Sequence, residues 1–193
     1  YPFIISFITI LLFWLIYIVI SYPGLSTGDT FDCLSQYFHL DTSWSKEAIN
    51  LIDESVYINK HHSVLFTLII GNCFKIGKML GSLTFGVFIY TIIQIILLLI
   101  IFSLMIKYMS KLNVPSYILI LSILFIGLNP VIATNSVASL KDVQYAIFNL
   151  VYVIILLQIV MDKNILNNSK KIIILIISML LIMMFRNNGI YTI

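Results

Sequence analysis

The chain has 193 residues, 61% of them hydrophobic and 10% charged, with a formal net charge of +3 and a mean hydropathy of +1.07. No soluble core absorbs that much apolar side chain, so the composition is that of an integral membrane protein. The surplus positive charge is too small and too dispersed for a nucleic-acid partner, and no Gly-rich phosphate loop, CxxC pair or internal repeat is present.

Residues 1–22 carry no charge, and neither do residues 83–106 or 143–161. About 20 apolar residues cross a bilayer as a helix, so these three runs are expected to span. Residues 115–133 join them. Residues 172–185 make a shorter fifth span if Lys171 and Arg186 reach the two interfaces with their long stems. The first run is too long for a signal-peptide core and has no small-residue cleavage site, so it is expected to stay as a helix. A chain that starts at Tyr1 and stops just after a polar cluster reads as the N-terminal part of a longer protein, here one transmembrane domain over residues 1–193. The preference for Ile, Asn and Lys over Val, Gln and Arg points to an AT-rich bacterial genome.

Residues 63–80 decide the topology. Ser63, Thr67, Gly71, Lys75 and Lys78 recur at helical spacing as a polar stripe, and apolar residues cover the rest. That pattern is an amphipathic helix lying in the membrane interface. With this helix in the interface, Lys107, Lys111, Lys163, Lys170 and Lys171 all fall on the cytoplasmic side, as the positive-inside tendency requires. Residues 23–80 then form the first extracytoplasmic loop with its interfacial helix. Seven of the eight acidic residues share that outer side, Asp162 being the exception. The glycosylation-type triplet Asn167-Asn168-Ser169 faces the opposite side on this topology.

The outer loops hold the chemistry. After the Pro23-Gly24 turn, Ser26-Thr27-Gly28-Asp29 starts a short helix that puts Asp29, Asp32 or Cys33, and Gln36 on one face. The plain explanation of Ser26 and Asp29 is a capping box. The functional one is a carboxylate held at the membrane surface as a general base. Asn59-Lys60-His61-His62 precedes the interfacial helix, whose N-terminus attracts anions, and would suit a lipid phosphate. The plain alternative is a polar linker, and adjacent histidines without a third ligand make a poor zinc site. Lys141-Asp142 opens the fourth span, where an acid complements the helix dipole. Arg186-Asn187-Asn188-Gly189 ends the fifth, as a headgroup anchor or a bidentate phosphate clamp. Cys33 and Cys73 lack metal-ligand spacing and read as free thiols; a disulfide would need both on an oxidising side.

The order of these motifs resembles the N-terminal part of the GT-C superfamily of polytopic glycosyltransferases, and more closely a group of uncharacterised bacterial membrane proteins of that type. The likeness runs over essentially the whole chain. It rests on Tyr22-Pro23-Gly24 followed by Asp29 and Gln36, on His62-Ser63-Val64-Leu65 with Thr67, on Lys141-Asp142, and on Arg186-Asn187-Asn188-Gly189. Ser63 stands where the family's His-Pro-x-Leu motif has Pro. The resemblance implies an all-α GT-C-like bundle of about five spans plus one interfacial helix, in the cell membrane. It also implies transfer of a sugar from a polyprenyl-phosphate donor on the extracytoplasmic face. Asp29 and Asp142 would be catalytic, with Asp32, Gln36, His61, His62, Lys141, Arg186 and Asn187 binding substrate. Some members of the family use a divalent metal and others do not, and no spacing here decides which. The rivals are a lipid or solute transporter, which would carry ionisable residues or broken helices near the midplane, where the second span has only Gln94 as a polar group and the charges cluster at the outer surface, and a non-catalytic lipid-binding relative.

Overall fold

The computed structural model describes residues 1–40 and 62–193. The expectations for Asn59, Lys60 and His61, and for the acids between positions 41 and 54, lie outside the described residues. In chain order these form α1 (Pro2–Ile20), α2 (Gly28–Tyr37), α3 (Val64–Met79), α4 (Leu83–Lys111), α5 (Ser116–Leu128), α6 (Pro130–Val137), α7 (Lys141–Met161) and α8 (Ser169–Phe185). Short 3-10 turns, Lys163–Asn167 and Asn187–Thr192, follow α7 and α8. The described residues are therefore all-helical apart from isolated connections.

Length and composition explain the long elements. α1, α4 and α7 are long and apolar enough to cross a membrane. Pro2 stands in the first turn of α1, where its missing N–H costs nothing. The side chain of Ser82 accepts from the Phe85 N–H and starts α4. α8, with 17 residues, would reach about 25 Å along its axis.

Residues 115–133 read as one span that emerges near Asn129, and the structure breaks them at that residue. α5 and α6 meet at a 55° bend. Pro130 disfavours a helical Asn129, which adopts φ −69°, ψ 115°, and the Asn129 Oδ1 then accepts from the backbone N–H groups of Val131 and Ile132 at 2.9 and 3.4 Å. One helix stops and a second starts with a new cap.

The polar stripe expected along one face of α3 is also split. Ser63, Thr67 and Gly71 are buried, whereas Lys75 and Lys78 are exposed. Ser63 donates to the Met184 carbonyl at 2.7 Å, Thr67 donates back to the Ser63 carbonyl at 3.0 Å, and the Tyr37 ring covers Gly71. Small polar residues here serve helix contact, because they satisfy themselves locally and let another element come close.

Lipid tails are as apolar as leucine, so packing and buried hydrogen bonds hold such helices together. Ile10 and Trp14 of α1 pack against Ile95, Leu98 and Leu99 of α4 and Ile126 of α5. Trp14 meets Phe102 edge-on at 6.2 Å and donates its indole N–H to the Ile126 carbonyl at 3.3 Å. A second cluster, Cys33, Leu34, Phe66, Ile70, Tyr90 and Phe185, joins α2, α3, the start of α4 and the end of α8. Both cysteines are buried free thiols, and burial raises the Cys33 thiol above its ordinary range, offset in part by its Thr67 hydrogen bond.

Gln94, the polar residue midway along α4, is wholly buried. Its amide donates across the carbonyls of Asn135, Ser136 and Ala138 at 3.2, 2.9 and 2.8 Å, and its oxygen accepts from Tyr90 and Gln144 at 3.0 and 3.2 Å. Those carbonyls belong to the end of α6 and the residues after it, where helical bonding stops. Irregular backbone inside an apolar bundle needs such a partner.

The bundle thus has two polar ends. Asp29, His62, Lys141, Asp142 and Arg186 gather at one, and Lys107, Lys111, Gln158 and Lys171 at the other.

Candidate functional site

The first end is built from backbone outwards. Gly24 has φ +140°, and a side chain there would run into Thr91 and the Val137 carbonyl, so only glycine lets the chain pass. Leu25 then pairs with Ala138 as a single parallel bridge: the Leu25 N–H donates to the Val137 carbonyl at 2.9 Å and the Ser139 N–H to the Leu25 carbonyl at 2.8 Å. α2 follows at once. Its cap is Thr27 with Thr30, in place of the expected Ser26 and Asp29. The buried Thr30 hydroxyl accepts from the Thr27 N–H at 3.2 Å and donates to the Ser139 carbonyl at 2.6 Å. One threonine therefore caps α2 and fixes it to the residues that lead into α7.

That junction sets Asp29 against Lys141, with 3.1 Å between Oδ2 and Nζ. Lys141 is the first residue of α7, where the helix dipole opposes a cation. Local helix chemistry does not call for a lysine there, and its charge is compensated from outside the helix. Besides Asp29, its Nζ lies 3.2 Å from Nδ1 of His62. An ammonium only donates, so Nδ1 accepts and the neutral imidazole carries its proton on Nε2. Nε2 in turn faces Asp32 Oδ2 at 3.8 Å, a charge–dipole contact longer than a hydrogen bond. His62 is 4% exposed, directly before the Ser63 N-cap of α3.

Asp142, also in the first turn of α7, does complement its dipole. Its Oδ1 lies 3.7 Å from Nε of Arg186, whose guanidinium sits 5.4 Å from the centre of the Tyr145 ring. Asp142 and Arg186 are both more than half exposed, so their pairing contributes at most about 1 kcal/mol and both stay available to a ligand.

A cavity of about 310 Å³ opens between these groups, lined by Asp29, Lys141, Asp142, Arg186, Asn188 and Ser63, with Phe185 as an apolar wall. Phe185 is held by stacking on Phe148 at 5.5 Å. The volume is at the small end of ligand sites. The structure therefore brings Asp29, Lys141, Asp142 and Arg186 to one cavity, and sets His62 and Asp32 behind Lys141. Gln36 is buried on α2 and does not line the cavity. His61 and the side chain of Asn187 lie outside what is described. Sequence reasoning missed Tyr145 and Phe185. An aromatic residue one helical turn beyond Asp142 was the available signal for Tyr145; Phe185 was hidden within an apolar run. Among the described residues no three His, Cys, Asp or Glu side chains are grouped to hold a metal ion.

A family model described as a family of unknown function (DUF6020) matches residues 3–193, and the chain belongs to that family. No curated protein and no solved structure matches the chain.

Proposed function

We propose that this DUF6020 chain forms the catalytic transmembrane part of a glycosyltransferase that moves a sugar from a polyprenyl-phosphate donor to an acceptor on the extracytoplasmic face. The observation that carries the reading is one cavity, at one end of an apolar bundle, lined by a proton acceptor and by two cations. α1, α4, α7, α8 and the bent pair α5–α6 would be the five spans, with α3 lying in the interface. The GT-C likeness of the motif order supports the same reading.

In the proposed step an acceptor hydroxyl attacks the anomeric carbon while the bond from that carbon to the phosphate oxygen breaks. Asp29 takes the hydroxyl proton, and the polyprenyl phosphate leaves with the electron pair. Lys141 and Arg186 meet the charge that develops on it, and Asp142 orients the acceptor. A single displacement inverts the anomeric centre. His62 and Asp32 act through Lys141, holding its ammonium at the cavity edge.

Among the described residues Asp29, Asp32 and Asp142 outnumber the cations Lys141 and Arg186, and each cation already has a carboxylate partner. A phosphate would compete with these carboxylates for Lys141 and Arg186 as it binds. Replacement at Lys141 would release the half-exposed Asp29 carboxylate from its ion pair and leave it to take the acceptor proton. A transporter is disfavoured by Gln94, whose amide is committed to backbone carbonyls. The test is binding of polyprenyl phosphate to the purified protein. Lys141→Gln and Arg186→Gln should each weaken binding about tenfold, the scale of one charge-assisted hydrogen bond. Unchanged binding in both would remove the phosphate from this cavity.

A further inference from the structure

At the opposite end of the bundle a second hollow, of about 320 Å³, lies between α4, α7 and α8. We propose that it is a binding site for an anionic phospholipid, with the phosphate among Lys107, Lys111 and Lys171 and an acyl chain in the hollow beneath. The site is separate from the glycosyltransferase cavity and does not depend on that reading.

Its residues are sorted by depth. Ile101 and Leu104 of α4, Val151, Ile154 and Ile155 of α7, and Ile174 of α8 line it with hydrocarbon alone. Lys107, Tyr108 and Lys111 come one to two turns later on α4, Gln158 one turn later on α7, and Lys171 one turn before Ile174 on α8. Because α8 runs back towards the first end, all five polar residues fall at the same mouth. From Val151 to Gln158 the helix rises about 10 Å, a depth that takes the upper part of an acyl chain. The arrangement is that of an amphiphile: head groups at the rim, hydrocarbon below.

The charge at the rim has one sign. Among the described residues no carboxylate lines the hollow, and Lys171 spends its contact on a neutral group, donating to Gln158 Oε1 at 2.7 Å. Three ammonium groups border one apolar opening and repel each other. A phosphate diester relieves that repulsion, and its ester oxygens suit Tyr108 and Gln158 as donors. A zwitterionic lipid would bring a cation of its own to the same rim. Sequence charge alone would spread attraction over every lysine at this end, whereas the hollow singles out three. Lys163 and Lys170 do not line it.

The experiment uses the full-length protein in detergent. Retained lipid is counted by native mass spectrometry after titration with phosphatidylglycerol or phosphatidylcholine of equal chain length. The expected result is a saturable preference for one phosphatidylglycerol, falling about fivefold for each of Lys107→Gln, Lys111→Gln and Lys171→Gln. The Lys163→Gln/Lys170→Gln double variant should keep the preference, and Leu104→Trp, which fills the hollow, should lose the lipid. Glycerol phosphate, which has the anion without the tail, should not compete at the same concentration. Equal binding of the two lipids would overturn the proposal. So would a loss of preference in the double variant as large as in the rim variants, or competition by glycerol phosphate.

Discussion

Lys141 begins a helix, where a cation is unfavourable, and its ammonium lies 3.1 Å from the carboxylate of Asp29 on a different helix. The contact exists because Leu25 pairs with Ala138 and Thr30 bonds to the Ser139 carbonyl, which together fix the start of α2 on the start of α7. The backbone junction thus comes first, and the charge pair at the cavity follows from it.

Asp29→Asn separates charge from capping. The cap of α2 is formed by Thr27 and Thr30, so the variant loses only a dipole contact and a partly exposed ion pair. Thermal unfolding should show a loss of no more than about 1 kcal/mol. Sugar transfer should fall about 10²-fold or more if this carboxylate takes the proton. Near-normal turnover would return the role to Asp32 or Asp142.

Thr30→Val keeps the shape of a buried side chain and removes its hydroxyl. The Ser139 carbonyl then loses its donor, at a cost of about 1–3 kcal/mol. The variant should be less stable than Asp29→Asn while keeping every charged residue of the cavity. Equal stability of wild type and Thr30→Val would show that the α2–α7 junction is held by something else.

Gln94→Leu tests whether the polar residue inside α4 is a scaffold. Its loss leaves the Ser136 carbonyl without its donor, worth about 1–3 kcal/mol when buried, and takes a second bond from the carbonyls of Asn135 and Ala138, which keep the N–H groups of Ala138 and Leu140. Unfolding in detergent should register a drop of several degrees or outright loss of folded protein. A fully stable Gln94→Leu protein with altered solute flux would favour the transporter reading.

Topology can be read chemically, because Cys33 and Cys73 are both buried and contribute little background. Gly28 faces open space and Asn167 is exposed near the lysine-rich end. In intact cells Gly28→Cys should react with an impermeant thiol reagent, and Asn167→Cys should react only after permeabilisation. Labelling of Asn167→Cys from outside would reverse the assigned orientation.

The sequence made α1, α4 and α7 legible because a membrane span is set by the length of an apolar run. The charged residues of the cavity were legible for a related reason: a chain this poor in charge leaves its few carboxylates and cations at the ends of the runs. The break at Asn129-Pro130 was missed although that dipeptide disfavours helix, because the apolar run continues through it. The cap of α2 was misplaced by one residue. Ser26–Asp29 and Thr27–Thr30 have the same spacing, and what distinguishes them is a tertiary bond to Ser139. The buried half of the α3 stripe failed similarly, since serine, threonine and glycine face water and close helix contacts with equal ease. The pairings of Lys141 with Asp29 and His62 were beyond a one-dimensional reading, because they depend on the Leu25–Ala138 bridge.

Sugar transfer from a lipid phosphate is proposed for the cavity of Asp29, Lys141 and Arg186. The direct measurement is incubation of the full-length protein in membranes with a panel of radiolabelled polyprenyl-phosphate sugars, followed by the anomeric configuration of any product. Label should appear in an acceptor with inverted anomeric configuration and be lost in Asp29→Asn and Lys141→Gln. Transfer that persists undiminished in both variants, or a product of retained configuration, would contradict that proposal.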